Sequence, residues 1–189
     1  VYPFTDSQIL GISTFPYSLK DFFLEGTQQV SASWITLENL SFPYCISINS
    51  SYIYEQSTDE RINQNDAAIT LAHELGHYLG LRHVFSEGGT TSMCTDTDYC
   101  KDTPSYNRSE YEQWLNNLDK QNKYQLKDLA KRYSCEKGEY EAHNIMDYAY
   151  CFYNEITLEQ RKRIRHILNY SPLIPGPKES RIDTRGVQD

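Results

Sequence analysis

Three histidines and a glycine between residues 73 and 83 constrain the fold of this chain more than any other feature of its sequence. His73 and His77 are four residues apart, so on an α-helix they share a face and can direct a ring nitrogen at one ion. His83 would be rotated away from that face if the helix continued. Gly80 can take the left-handed conformation that ends a helix. We therefore predict that the helix ends near Gly80 and that the chain returns His83 to the same ion.

The number and type of these residues match the ligands of a catalytic zinc site. Zinc accepts neutral imidazole nitrogens in a tetrahedral shell, and a catalytic site uses three protein ligands and leaves the fourth position to water. We predict His73, His77 and His83 as those ligands. Glu74 is rotated round the helix from His73, which suits it to hold and deprotonate the metal-activated water rather than to bind the metal. Glu74 is therefore the predicted general base.

The composition limits the class of partner. A chain of 189 residues, 39% of them hydrophobic, can form one domain with a buried core. Its net charge of −8 comes without a basic cluster, which argues against nucleic acid and anionic lipid as partners. No apolar run approaches the roughly 20 residues that cross a bilayer. We expect a monomer that acts on protein or peptide substrates without membrane contact from this segment, and a lipid anchor upstream of Val1 stays open.

The five cysteines lack the spacing of a zinc finger or a redox pair. They favour one or two disulfides in an exported protein with at least one free thiol, and reduced cytosolic cysteines are the alternative. The cysteines are Cys45, Cys94, Cys100, Cys135 and Cys151.

The first 79 residues favour strands followed by the histidine-bearing helix. An apolar run at 8–15, an alternating run at 30–34 and a short run at 44–49 predict strands, with a loop at 18–26. Asn65 or Asp66 can cap a helix that continues to Leu79, and its apolar residues on several sides predict a buried helix.

The remainder favours helices and loops. Ser109 and Thr157 each begin a capping box, and a third helix is predicted at 124–133. Leu158, Ile164, Ile167 and Leu168 predict the buried stripe of the last helix. Residues 171–189 read as an extended tail.

An acidic segment between the histidines and these helices offers a second candidate metal site. Asp96, Asp98 and Asp102 carry oxygen ligands suited to structural calcium, although no complete EF-hand spacing is present. The alternative is a solvated turn in which the carboxylates cap the backbone.

A second motif, at residues 144–148, reads Asn-Ile-Met-Asp-Tyr. An extended histidine motif followed by a methionine-containing turn is the pattern of the metzincin zinc peptidases. The chain resembles that group over roughly residues 9–170. Within it the chain resembles the pappalysin family, because Asp102-Thr103-Pro104 precedes the turn and Cys151 and Thr157-x-x-Gln160 follow it. It is most similar to bacterial zinc-dependent metalloproteinase lipoproteins.

The resemblance implies an α+β fold with a small mixed twisted sheet backed by the active-site helix and a loop-rich, helical C-terminal subdomain. It divides a single domain, 1–170, into an upper subdomain at 1–82 and a lower one at 83–170. Because only 72 residues precede His73, we expect an N-terminal helix and one or two strands of the family to be missing here.

The resemblance also implies roles for individual residues. Met146 would form a packing floor beneath the metal, and Cys151 would pair with Cys94, Cys100 or Cys135. Tyr148 resembles a tyrosine that stabilises the tetrahedral intermediate, and a packing tyrosine of the turn is the alternative. Arginine-selecting pappalysins place an acidic residue just after the turn, whereas residues 149–153 here contain none. We therefore predict a pocket for apolar or aromatic side chains.

The predicted function is zinc-dependent endopeptidase activity in an exported protein, which would be extracellular, periplasmic or a cell-surface lipoprotein. The alternative is a catalytically inactive or non-peptidase module of the same fold that binds proteins at the cell surface. A module without activity could lose the general base and keep the fold. The presence of Glu74 in this chain therefore favours the enzyme.

Overall fold

The structure is a computed structural model that describes residues 1–40, 44–58, 62–90, 92–134 and 136–174. Short strands occupy the first part of the described chain, and helices dominate the rest. In chain order the elements are β1 (Gly11–Ser13), β2 (Tyr17–Leu19), β3 (Gln28–Val30), β4 (Ile46–Ile48), α1 (Ala67–Tyr78), α2 (Arg108–Asn116), α3 (Leu126–Leu129), β5 (Lys131–Ser134), β6 (Gly138–Glu141) and α4 (Leu158–Tyr170).

The described strands pair two by two. β1 lies antiparallel to β4, β2 lies parallel to β3, and β5 and β6 form an antiparallel hairpin. α1 packs against β1 and β4. The α+β class is confirmed, with a sheet that backs the histidine-bearing helix.

Two predictions for the first 34 residues were wrong. The predicted strand at 30–34 ends at Val30, and Ala32–Trp34 form a 3-10 helix in which Trp34 N donates to Ser31 O at 3.0 Å. The alternation of apolar residues therefore reflected a tight turn of helix. The start of the predicted loop at 18–26 overlaps the end of β2, because Tyr17–Leu19 pairs in parallel with β3.

α1 begins and ends where the sequence predicts. The Asp66 side chain accepts hydrogen bonds from Ala68 N at 2.8 Å and Ile69 N at 3.2 Å, which satisfies two amides of the first turn. Gly80 has a φ of 87° and ends the helix. The prediction of a helix buried on several sides was wrong, because Leu71 is 48% and Leu75 44% exposed.

The region before the methionine turn differs more from prediction. α2 is capped by Asn107, whose side chain accepts from Glu110 N, rather than by Ser109. The helix predicted at 124–133 is the single turn α3, and its second half forms β5. Gly138, with a φ of 76°, lies in the hairpin that pairs this strand with β6.

α4 forms hydrogen bonds to residue 144 and to Gly80, which follows α1. Thr157 and Gln160 form the predicted capping box. Ile167 is buried, but Leu158 and Leu168 are exposed, so the predicted stripe was only partly correct. Instead the polar residue Arg163 is buried and donates to Gly80 O, a carbonyl at the end of α1. Of the predicted tail, 175–189 lies outside the described residues.

Two clusters of apolar side chains pack next to the histidine-bearing segment. Leu81, Val84 and Met146 form one, and Phe85, Tyr106 and Tyr111 form the other. None of the helices in the described part of the chain is long and apolar enough to span a membrane.

Cys151 is a fully buried free thiol whose Sγ donates to Asn144 O at 3.3 Å. Cys100 is also a free thiol. The pairing expected for Cys151 is therefore wrong, because its sulfur is used inside the methionine turn.

Candidate metal centre and active-site cleft

The three predicted histidines converge on one point. One ring nitrogen from each of His73, His77 and His83 lies within 4.8 Å of the others. The Nε2 atom of His83 is 3.1 Å from that of His73 and 3.0 Å from that of His77. The left-handed turn at Gly80 makes this possible, since it redirects the chain immediately after α1.

The other nitrogen of each ring is held by an oxygen acceptor. Nδ1 of His73 lies 2.7 Å from Ile145 O, and Nδ1 of His77 lies 2.8 Å from Leu81 O. Nδ1 of His83 contacts the Oε1 carboxylate oxygen of Glu87. Because carbonyl and carboxylate oxygens only accept, each Nδ1 carries a proton, and in a neutral ring this leaves a lone pair on Nε2.

This arrangement fits a metal ion. Burial and the neighbouring charges of His77 and His83 lower the pKa of His73 to about 3, and burial lowers the pKa of His77 to about 4. Lone pairs on neutral rings repel one another at these distances unless a cation lies between them. Ligands about 2.0–2.1 Å from zinc in a tetrahedron stand roughly 3.3 Å apart, close to the observed separations. The trio could therefore bind a metal.

Glu74 lies beside the histidines against the first strand. It is largely buried, and this burial raises the pKa of Glu74 to about 7. A Cβ added to Gly11 would lie 2.7 Å from Glu74 Cγ and 3.1 Å from its Oε1. Glu74 therefore occupies its position only because β1 has no side chain there.

Met146 packs directly beneath α1. Its side chain is fully buried, and its Sδ touches the helix at Gly76, where a Cβ would clash. The turn itself is fixed to α4, because Asn144 and Gln160 exchange side-chain hydrogen bonds of 2.8 and 3.1 Å. Met146 therefore packs against the face of α1 at Gly76, and its role beneath a metal stays a prediction.

The ring of Tyr148 closes one side of the histidine site. Its centroid lies 4.4 Å from that of His83 and 5.5 Å from that of His73. Arg132 on β5 donates to the carbonyl of Tyr148 at 3.1 Å, and the Asp147 carboxylate accepts from its amide at 2.7 Å. The backbone of Tyr148 is therefore fixed on both sides.

A cleft lies on either side of the histidines, and β1 runs between them. One, of about 470 Å³, contains Gly11, Glu74 and Tyr148 in its lining. The other, of about 510 Å³, contains Ser13 and His77 in its lining. Groups from the strand, the helix and the methionine turn thus line the 470 Å³ cleft.

Comparison with known proteins places this chain in a family. The family model for peptidase M43, described as pregnancy-associated plasma protein-A, matches residues 34–169. The chain belongs to the peptidase M43 family. Extracellular metalloproteases of Arthroderma benhamiae and Trichophyton verrucosum are each 37% identical over 108 residues, or 56% of this chain and 32% of the relative. The chain thus spans about a third of the length of these relatives. No solved structure matches the chain.

The acidic segment of this M43 family member does not gather ligands for calcium. Asp98 accepts from Cys100 N and Thr103 Oγ1 at 2.9 and 2.7 Å, Asp96 from Asp98 N at 3.0 Å, and Asp102 from Glu159 N at 2.9 Å. Within the described ranges, only the histidine trio forms a cluster suited to a metal. The alternative of a backbone-capping acidic turn describes these contacts.

Three residues of this M43 site were missed in the sequence. Glu87 contacts His83, Gly11 gives room to Glu74, and Arg132 holds Tyr148. Glu87 lies only four residues after His83, so its proximity could have been noticed. Gly11 and Arg132 carry no local signal, because their contacts join distant parts of the chain.

Proposed function

We propose that this chain is the catalytic domain of an exported zinc endopeptidase. The convergence of three imidazoles, with Glu74 next to one of them, is the observation that carries the proposal. Membership of a metallopeptidase family supports it. The relatives named extracellular metalloprotease support export.

His73, His77 and His83 would hold the zinc ion through Nε2. When bound, the ion supplies a Lewis acid that polarises the scissile carbonyl and eases deprotonation of water. Glu74 accepts the proton of the attacking water as its oxygen adds to the carbonyl carbon. The carbon–nitrogen bond then breaks, and Glu74 donates the proton to the leaving amine.

The substrate would bind as an additional strand along β1. β4 pairs with one edge of β1, and in the described part of the chain no strand pairs with the opposite edge. Gly11 and Ser13 contribute to different clefts, so an extended peptide on this edge would place side chains in both. Such strand addition gives affinity through the backbone and specificity through the pockets.

The pocket beyond Tyr148 would prefer apolar or aromatic side chains over arginine. Three carboxylates line the 470 Å³ cleft: Glu74, Glu112 and Asp147. Glu74 is the proposed base. Glu112 accepts from Arg108 Nε at 2.6 Å, and Asp147 is buried beside Arg132. Among the described lining residues no other carboxylate is present to select a cation, so a peptide library in which arginine dominates the cleavage sites would contradict the proposal.

Four finer predictions stay proposals. The boundary between upper and lower subdomains would lie between residues 82 and 83, just after the turn at Gly80. Since Cys45, Cys100 and Cys151 carry free thiols, a disulfide of the exported protein would use Cys94 and Cys135, and Cys135 lies outside the described residues. The protein would act as a monomer, and a lipid anchor upstream is compatible with this arrangement.

Casein cleavage tests the function. We expect cleavage by the wild type, loss with a chelator, recovery on adding zinc, and loss of at least about 100-fold in Glu74→Gln. Glu139→Gln removes an exposed carboxylate from the hairpin and should leave cleavage unchanged. Activity that survives both the chelator and Glu74→Gln would overturn the mechanism. Zinc binding without cleavage of any peptide would favour the inactive binding module.

A further inference from the structure

The three histidine ligands differ in what holds their second nitrogen. His73 and His77 use main-chain carbonyls, of Ile145 and Leu81. His83 alone uses a side chain, the carboxylate of Glu87. His83 is also the one ligand of the three outside α1, so no helix fixes the orientation of its ring.

Glu87 is itself held in place by a cation. Its Oε2 lies 3.6 Å from Nη1 of Arg82. Arg82 is anchored at a distance, because its Nε and Nη2 donate to Gly26 O at 3.1 and 2.7 Å and its guanidinium lies over the ring of Phe15. The contacts form a continuous path from the turn before β3 through Arg82 and Glu87 to His83.

We propose that Glu87 is a positioning residue that sets the metal affinity of the site by fixing His83. A carboxylate that accepts Nδ1–H directs the Nε2 lone pair at the metal and makes the ring a stronger donor. The proposal rests on the proposed zinc function. Loss of such a partner weakens metal binding by about 10- to 100-fold.

Zinc affinity, measured by competition with a chromophoric chelator, tests the role without relying on activity. We expect Glu87→Ala to raise the zinc Kd by about 10- to 100-fold. Glu87→Gln keeps an acceptor oxygen for Nδ1–H and should recover part of this loss. Glu139→Ala, a matched control on the exposed hairpin, should bind zinc as the wild type does.

Two further measurements separate positioning from a merely structural role. The melting temperature of the metal-free Glu87→Ala protein should stay within about 4 °C of the wild type, because a partly exposed ion pair contributes little to stability. The visible absorption of the cobalt(II)-loaded protein should change in Glu87→Ala and not in Glu139→Ala, because it reports the ligand field.

The outcomes distinguish this inference from the proposed function. A wild type that binds no zinc would overturn the function itself. A wild type that binds zinc with the same affinity as Glu87→Ala would overturn only the role of Glu87. Equal weakening in Glu87→Gln and Glu87→Ala would overturn the assignment of the hydrogen bond.

Discussion

At the scale of single residues, the site depends on where side chains are absent as much as on where they are present. Gly11 leaves room for Glu74, and Gly76 leaves room for Met146. Gly80 does two things, since its φ of 87° ends α1 and an added Cβ would lie 2.7 Å from Ile167 Cγ1. The histidines and Glu74 could be predicted from spacing alone, whereas the need for Gly11 follows only from the folded contact.

Gly11→Ala should impair catalysis while leaving zinc binding intact. The new Cβ would force Glu74 from its position, and small displacements of a catalytic group cost about 100-fold in rate. We expect kcat/KM to fall by about that factor, measured on a quenched fluorescent peptide. Gly89→Ala is the control, because no atom lies within 4 Å of its added Cβ. Full activity in Gly11→Ala would show that Glu74 is not held by this contact.

Tyr148→Phe separates the two roles open to that residue. If its hydroxyl stabilises the tetrahedral intermediate, kcat should fall by about 100-fold with little change in KM. The ring contacts with His83 and His73 persist in phenylalanine, so a packing role predicts nearly unchanged kinetics. Tyr133→Phe, which changes an exposed tyrosine on β5, serves as the control.

At the scale of elements, the starts of α1 and α4 were predicted correctly from local signals, whereas the start of α2 was not. Asp66 and Thr157 begin α1 and α4 as expected, because a cap and its amides lie within three residues. Strands of three or four residues are stabilised mainly by pairing with distant partners, and their own sequence says little about that. β5 was therefore taken for part of a helix, and the parallel β2–β3 pair was missed.

Asp66→Ala should shorten α1 from its N-terminus and destabilise the chain. Loss of the cap costs about 1 kcal/mol, read from urea unfolding at pH 7. Glu38→Ala, outside any helix, should have no such effect.

The effect of Asp66 should also depend on pH. Burial raises the pKa of Asp66, but hydrogen bonds from Ser57, Ile69 and Ala68 outweigh it, and the pKa stays below its usual value. The folded pKa is thus lower than that of the unfolded chain, about 3.9. The contribution is complete above that pH and is lost as pH falls through the folded pKa. The difference between wild type and Asp66→Ala should shrink below about pH 4, and a constant difference would contradict the assignment.

Arg132→Met tests the buried pair that holds the methionine turn. Arg132 and Asp147 have fully buried side chains 3.4 Å apart, and removing one partner of such a pair costs about 3–5 kcal/mol. The double variant Arg132→Met, Asp147→Asn should recover part of this loss in urea unfolding, because no buried charge is left unpaired. Losses that simply add would contradict the coupling.

At the scale of the whole molecule, the ends of the described chain meet at the site. Gln160 and Arg163 of α4 hold the methionine turn and the end of α1, and β1 lies against Glu74. The α+β class and the convergence of the three histidines followed from two motifs in the sequence, and the family from these motifs and the segments at 102–104 and 151–160. The course of the chain between the two motifs could not be predicted, because residues 84–143 carry few periodic patterns.

Zinc should stabilise the entire domain because its ligands join α1 to the segment after Gly80. Free zinc at about 1,000 times its Kd stabilises a protein by ~4 kcal/mol. For a chain of this size the melting temperature should rise by about 8–16 °C. Glu74→Gln should keep this rise and His83→Ala should lose it. A rise that persists in His83→Ala would place the metal elsewhere.

The acceptors that hold the histidine rings also predict which substitutions abolish metal binding. Ile145 and Leu81 hold two rings with main-chain carbonyls, which every amino acid possesses. Replacement of either side chain therefore preserves the acceptor wherever the backbone keeps its path. Glu87 offers no such tolerance, since its acceptor is the side chain itself. In a library of random variants that stay folded, we expect lost metal binding to map to the three histidines and Glu87, and to spare Ile145 and Leu81.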